Sequence, residues 1–172
     1  MRRVQRVLFD RPPMVQNEGA TAMCILREKK DTIMKMTAPD LIKAAEAVLK
    51  PYTTKSGRVF GDVGAAVLSE GGKVYTGVCV DTAGWGLCAE RSALAAMITS
   101  GEYRISKVVA VWRDERNGKL SVLPPCGICR DFMRGIEENN LEAEVVLGRR
   151  KSAKLKDLIP YFEWPKPLDE EL

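Results

Sequence analysis

From residue 37 onward, apolar positions recur with two distinct periods. Leu41, Ile42, Ala45, Val48 and Leu49 follow helical spacing, and Pro51 ends the run. Thr37-x-x-Asp40 ahead of them resembles a capping box with Asp in place of the usual Glu. Val63-Gly64-Ala65-Ala66-Val67-Leu68 reads as a short apolar strand, Ser69-Glu70-Gly71-Gly72 as a turn and residues 73–80 as the returning strand of a hairpin. A loop with two glycines covers 81–86, and the Ala- and Leu-rich segment 88–97 is helical. Val108-Val109-Ala110-Val111-Trp112 has no polar alternation and predicts a strand buried on both faces. Residues 114–118 form a turn, 126–138 a second helix, 143–147 a further strand and 154–162 a closing turn of helix.

Strands alternating with helices after residue 74 predict an α/β fold: a mixed, partly parallel sheet of about five strands flanked by helices. No repeat or linker divides residues 37–172, which read as one domain. Residues 1–36 behave differently. They lack sustained periodicity and contain Arg11-Pro12-Pro13, so a flexible N-terminal extension, a start upstream of a natural Met36 and a basic arm are the alternatives.

Charge sharpens that boundary. The chain has 27 Lys and Arg against 23 Asp and Glu, and residues 1–36 hold eight of the former and four of the latter. The whole excess of +4 therefore sits in the extension. A body of zero net charge argues against a nucleic-acid face in the fold. No apolar run approaches the roughly 18 residues of a membrane span, so the expectation is a soluble cytoplasmic protein without a membrane partner.

The chemistry is narrowed by what is missing. There is no histidine, which excludes imidazole acid–base catalysis, Ser-His and Cys-His nucleophiles and any imidazole metal ligand. Five cysteines, an odd number without a secretion signal, point to metal binding or a reactive thiol rather than disulfides. Cys126 and Cys129 lie one turn apart at the start of a helix, and Cys88 opens another. A zinc ion held by three thiolates carries a formal charge of −1, which two helix N-termini and Arg91 would stabilise. Three protein ligands leave a fourth position for water, the mark of catalytic zinc. Glu90, beside Cys88 but not needed as a ligand, is the group to move protons. Two alternatives stand beside this reading: Cys79 completing a four-cysteine structural site, and a redox pair at Cys126 and Cys129. Cys24 reads as a small apolar side chain.

Cys88-Ala89-Glu90-Arg91, followed after a strand by Pro125-Cys126-Gly127-Ile128-Cys129-Arg130, resembles the cytidine deaminase superfamily in its three-cysteine form. Val63-Gly64-Ala65-Ala66 is similar to the family's first strand, and Leu158-Ile159-Pro160-x-x-Phe162 to its C-terminal ending. The resemblance implies a three-layer fold and a zinc-activated water that attacks C4 of a cytosine ring. Cys88, Cys126 and Cys129 would be the Zn2+ ligands and Glu90 the proton carrier to N3 and then to departing ammonia. Arg91 would pair with the thiolates, and Phe60 and Ala89 would meet the substrate. Phe60 could equally be core. The resemblance also implies a homotetramer, with a dimer as the alternative, acting on a small-molecule nucleoside or analogue.

One stretch departs from the family. Its Asn-x-Glu pair, which holds the ribose hydroxyls, stands here as Cys79 and Asp81. A thiol is a poor replacement for an amide, so a blasticidin S-type or other aminated heterocycle competes with cytidine and deoxycytidine as substrate. Asp81 could also be a solvated loop acid. A non-catalytic, zinc-stabilised binding protein is the reading from a different class.

Overall fold

The computed structural model describes residues 36–160, Ala83 excepted. The extension before Met36 and the ending at Phe162 lie outside the described residues.

Helix α1 (Ala38–Ala47) starts as its sequence directs. The Asp40 amide donates to the Thr37 hydroxyl at 3.3 Å, and the Thr37 amide donates back to the Asp40 carboxylate at 3.2 Å. A small antiparallel pair follows, β1 (Tyr52–Thr53) with β2 (Val59–Phe60). Strand β3 (Val63–Ser69) pairs antiparallel with β4 (Val74–Val78), as the alternation predicts. The chain then forms a two-residue ladder, β5 (Val80–Asp81) with β6 (Gly86–Leu87), before helix α2 (Ala89–Thr99).

Strand β7 (Ile105–Arg113) is the spine of the sheet. On one side it pairs with β3; on the other it meets β8 (Leu120–Leu123) along one half and β9 (Glu144–Gly148) along the other. Helix α3 (Gly127–Ile136) and a 3-10 turn, Glu138–Glu142, connect β8 to β9. Strand β10 (Lys151–Lys154) closes the edge, followed by a 3-10 turn, Leu155–Leu158. The main sheet runs β10-β9-β7-β3-β4 with β8 attached to β7, and the β7–β9 pair is its parallel one.

Two expectations change. The sheet has six strands rather than about five, because Leu120–Leu123 pairs back onto β7 as a hairpin. Within the described part of 154–162, the closing helix is a four-residue 3-10 turn preceded by a strand.

Strands β3 and β7 are buried on both faces, and alternate residues feed two cores. Ala66, Leu68, Val109 and Val111 pack with Leu41, Ile42 and Ala45 of α1. Ala65, Val67, Val108 and Ala110 pack with Ala93, Leu94 and Met97 of α2 and Met133 of α3. The result is a three-layer α/β/α fold. Helix α2 lies so close to β4 that a Cβ on Gly77 would stand 2.4 Å from the Ala93 amide nitrogen. That approach fixes the height of α2, and with it Cys88 and Glu90, over the sheet. Buried Asn140 ties the α3 end down: its Oδ1 accepts from the Ile105 amide, and its Nδ2 donates to the Tyr103 and Met133 carbonyls. Among the described residues no helix is long and apolar enough to cross a membrane.

Candidate metal centre and its cleft

Cys88 and Cys126 occupy the N-cap positions of α2 and α3, and Cys129 lies in the first turn of α3. The two helices meet at their N-terminal ends because both pack on the same face of β3 and β7. Cys88 Sγ and Cys126 Sγ are 3.7 Å apart, and all three sulfurs lie within 4.8 Å of one another. Cys126 is exposed, Cys88 half-buried and Cys129 fully buried, so the cluster opens to solvent on one side.

Burial pushes the Cys129 thiol well above its ordinary range, and the Glu90 charge adds to the shift. Cys126 is held below its ordinary value: burial opposes this, but the Cys129 amide and the neighbouring thiols outweigh it. Three sulfurs this close, one of them buried, carry thiolate charge at a high cost unless a cation shares it. The donor set therefore suits a thiophilic divalent metal in a tetrahedral three-sulfur site.

Glu90 follows Cys88 by two residues in the first turn of α2 and is 6% exposed. Burial raises its carboxyl above the usual value, against the pull of its own backbone amide, Cys129 and Arg91. A buried carboxyl beside a candidate metal site, its charged form disfavoured, is suited to take up and pass on a proton. Arg91 donates from Nη2 to the Gly86 carbonyl at 2.7 Å, and its guanidinium carbon lies 5.5 Å from the Trp85 ring centroid. Burial works against its charge, but the Cys88 and Cys129 sulfurs hold it charged. Its buried Nε has no hydrogen-bond partner among the described residues.

The loop before Cys126 is fixed from the far side of α3. Arg130 donates from Nε to the Pro125 carbonyl and from Nη1 to the Leu158 carbonyl, each at 2.8 Å. One side chain thus links the loop carrying Cys126 to the last described turn.

Beside Cys88 and Arg91 opens a cleft of about 550 Å3, ample for a nucleoside-sized ligand. Cys79 and Asp81 both line it. Phe60 does not; it sits half-buried in β2, and its neighbours Arg58 and Val59 form that wall instead. Ala89 is fully buried in the core and is not part of the lining either. Asp62 and Ile128 also line it. The signal for the Arg58 wall was the Thr54-Lys55-Ser56-Gly57 turn, where Gly57 takes a φ of +79° and its amide donates to the Thr54 carbonyl.

Residues 40–142 match the family described as "Cytidine and deoxycytidylate deaminase zinc-binding region". A probable cytidine deaminase of Dictyostelium discoideum is 36% identical over 94 residues, which cover 54% of this chain and 60% of that protein. The cytidine deaminase of Mycobacterium tuberculosis is 32% identical over 132 residues, 76% of this chain and 89% of its own length. Among solved structures, cytidine deaminase from Mycobacterium leprae superposes with a TM-score of 0.59 at 29% identity, covering 73% of this chain and 99% of that one. Because the family match spans more than half of the chain and the solved relatives share its fold, the chain belongs to the cytidine and deoxycytidylate deaminase family of hydrolytic deaminases.

Proposed function

We propose that residues 37–172 form a zinc-dependent deaminase that converts a cytosine nucleoside, or an analogue of one, to its uracil form with release of ammonia. The observation that carries this reading is the buried carboxylate of Glu90 packed against a solvent-open triad of cysteines. Zinc held by Cys88, Cys126 and Cys129 would supply a polarised, acidified water at its remaining position. Glu90 would take the proton from that water, deliver it to ring N3 and then move a proton to the departing amine. Arg91 would balance the charge of the thiolate-rich centre from its place on the cleft lining.

Asp62 and Asp81 share the cleft lining with Arg58 and Arg91, an array of balanced formal charge that offers the hydroxyls of a nucleoside both acceptors and donors. A blasticidin S-type substrate is supported by the same pair, since two carboxylates also suit a basic substituent. Action in the cytoplasm and assembly as a homotetramer belong to this reading. Exposed Ile128 and Phe132, one turn apart on α3, give such an assembly apolar surface.

The test is a panel of cytidine, deoxycytidine and blasticidin S, followed for ammonia and for the ultraviolet change of the pyrimidine. At least one should yield ammonia and deaminated product in equal amounts. Tight binding of the panel with no ammonia would favour a binding protein instead.

A further inference from the structure

Cys79 stands where the family places a substrate-binding amide, yet its thiol is already engaged. It donates to Asp62 Oδ1 at 2.9 Å, and its sulfur accepts from the Val63 amide at 3.4 Å. Its backbone is fixed as well: the amide donates to the Val63 carbonyl at 3.0 Å, and the carbonyl accepts from the Gly61 amide at 3.1 Å. A side chain bonded on both sides in this way has little left to offer a ligand.

Asp62 is the opposite case. Asp62 lines the cleft, and its Oδ2 has no hydrogen-bond partner among the described residues. The chain reaches this position through Gly61, whose φ of +70° is open to few other residues. A Cβ there would stand 2.7 Å from the Lys50 carbonyl oxygen. This kink carries Asp62 to the cleft wall.

We infer that Asp62 is a specificity-determining residue, accepting hydrogen bonds from a donor-bearing substituent on the substrate ring, and that Cys79 is its positioning residue and does not touch substrate. The inference rests on the deaminase reading above and refines its substrate. The substituent carries hydroxyls or a protonated amine, because the free acceptors at this wall are the carboxylates of Asp62 and Asp81. Cys79 holds one oxygen of Asp62, which leaves the other aimed by geometry rather than free to rotate.

The test compares cytidine (hydroxyls), blasticidin S (basic substituent) and 1-methylcytosine (neither donor on the substituent), using the full chain with its metal content measured. Each is read as KM where it is turned over and as a competitive inhibition constant where it is not. Asp62→Ala should raise the constant about 10- to 100-fold for whichever of the first two the protein uses, the range for a hydrogen bond to a charged group. The constant for 1-methylcytosine should be unmoved, and zinc content should stay close to the parent. Asp62→Asn, which keeps the shape, separates the sources: a few-fold loss marks hydroxyls, a tenfold or larger one the amine. Cys79→Ala should cost about 3- to 10-fold in the same constant, and Cys79→Ser, which restores a donor, should recover most of it. Equal losses on all three compounds, no loss on any, or a Cys79→Ala defect larger than that of Asp62→Ala would overturn the inference while leaving the deaminase reading intact. A parent that deaminates nothing in the panel would instead contradict that reading, and this inference with it.

Discussion

Replacing Glu90 with glutamine should abolish turnover while leaving the protein folded and its metal in place. The amide matches the carboxylate in size and keeps a hydrogen-bonding oxygen, but it cannot take a proton from water or pass one on. General acid–base catalysis contributes about 10²- to 10⁴-fold, and a group serving both transfers should fall at or beyond the upper end. Because Glu90 is buried, its environment already resists the charged form, against the pull of Cys129. A neutral replacement should therefore leave stability equal or slightly raised. The check is kcat with zinc content and melting temperature on one preparation. A variant that deaminates as fast as the parent would remove Glu90 from the mechanism.

The second large effect is expected at Cys129. It is fully buried in the core beneath α2 and α3, where the thiol is hard to ionise without a cation. Cys129→Ala removes one of three donors and leaves Cys88 and Cys126 to hold a metal alone. Metal that binds the folded state at a free concentration about 1,000-fold above its Kd stabilises that state by about 4 kcal/mol. For a domain of this size, that loss corresponds to a fall in Tm on the order of 10 °C. The variant should melt near the chelator-treated parent, and a chelator should shift it no further. If parent and variant melt alike with metal present, the three sulfurs are not a shared metal site.

The parts of the fold that could be read from sequence are those whose signals are local. The Thr37–Asp40 capping box, the unbroken apolar run of β7 and the one-turn spacing of Cys126 and Cys129 each carry their own explanation. Strand β8 was hidden because its four residues run into Pro124-Pro125, and only their pairing with Ala110 to Arg113 makes them a strand. Strand β10, Lys-Ser-Ala-Lys, is a mostly polar edge without an apolar signature, the kind of edge that resists pairing with other chains. Cys79 is the most instructive case. Its place in the chain marks it as a substrate contact, whereas its thiol bonds Asp62, seventeen residues away in sequence. That partnership depends on the Gly61 kink, a tertiary feature that no spacing rule contains. The cleft wall at Arg58 and Val59 likewise depends on how the β1–β2 hairpin folds over, which the Phe60 aromatic signal did not anticipate.

A zinc ion on Cys88, Cys126 and Cys129 should have room for the reacting water. Stripping the metal with a chelator and returning zinc in steps, while ammonia release is followed on the best substrate of the panel, tests it directly. Activity should be lost with the metal and should rise in proportion to added zinc, reaching its plateau at one zinc per chain. Full activity without metal, or a chain that takes up one zinc and regains its stability but not its activity, would contradict the account.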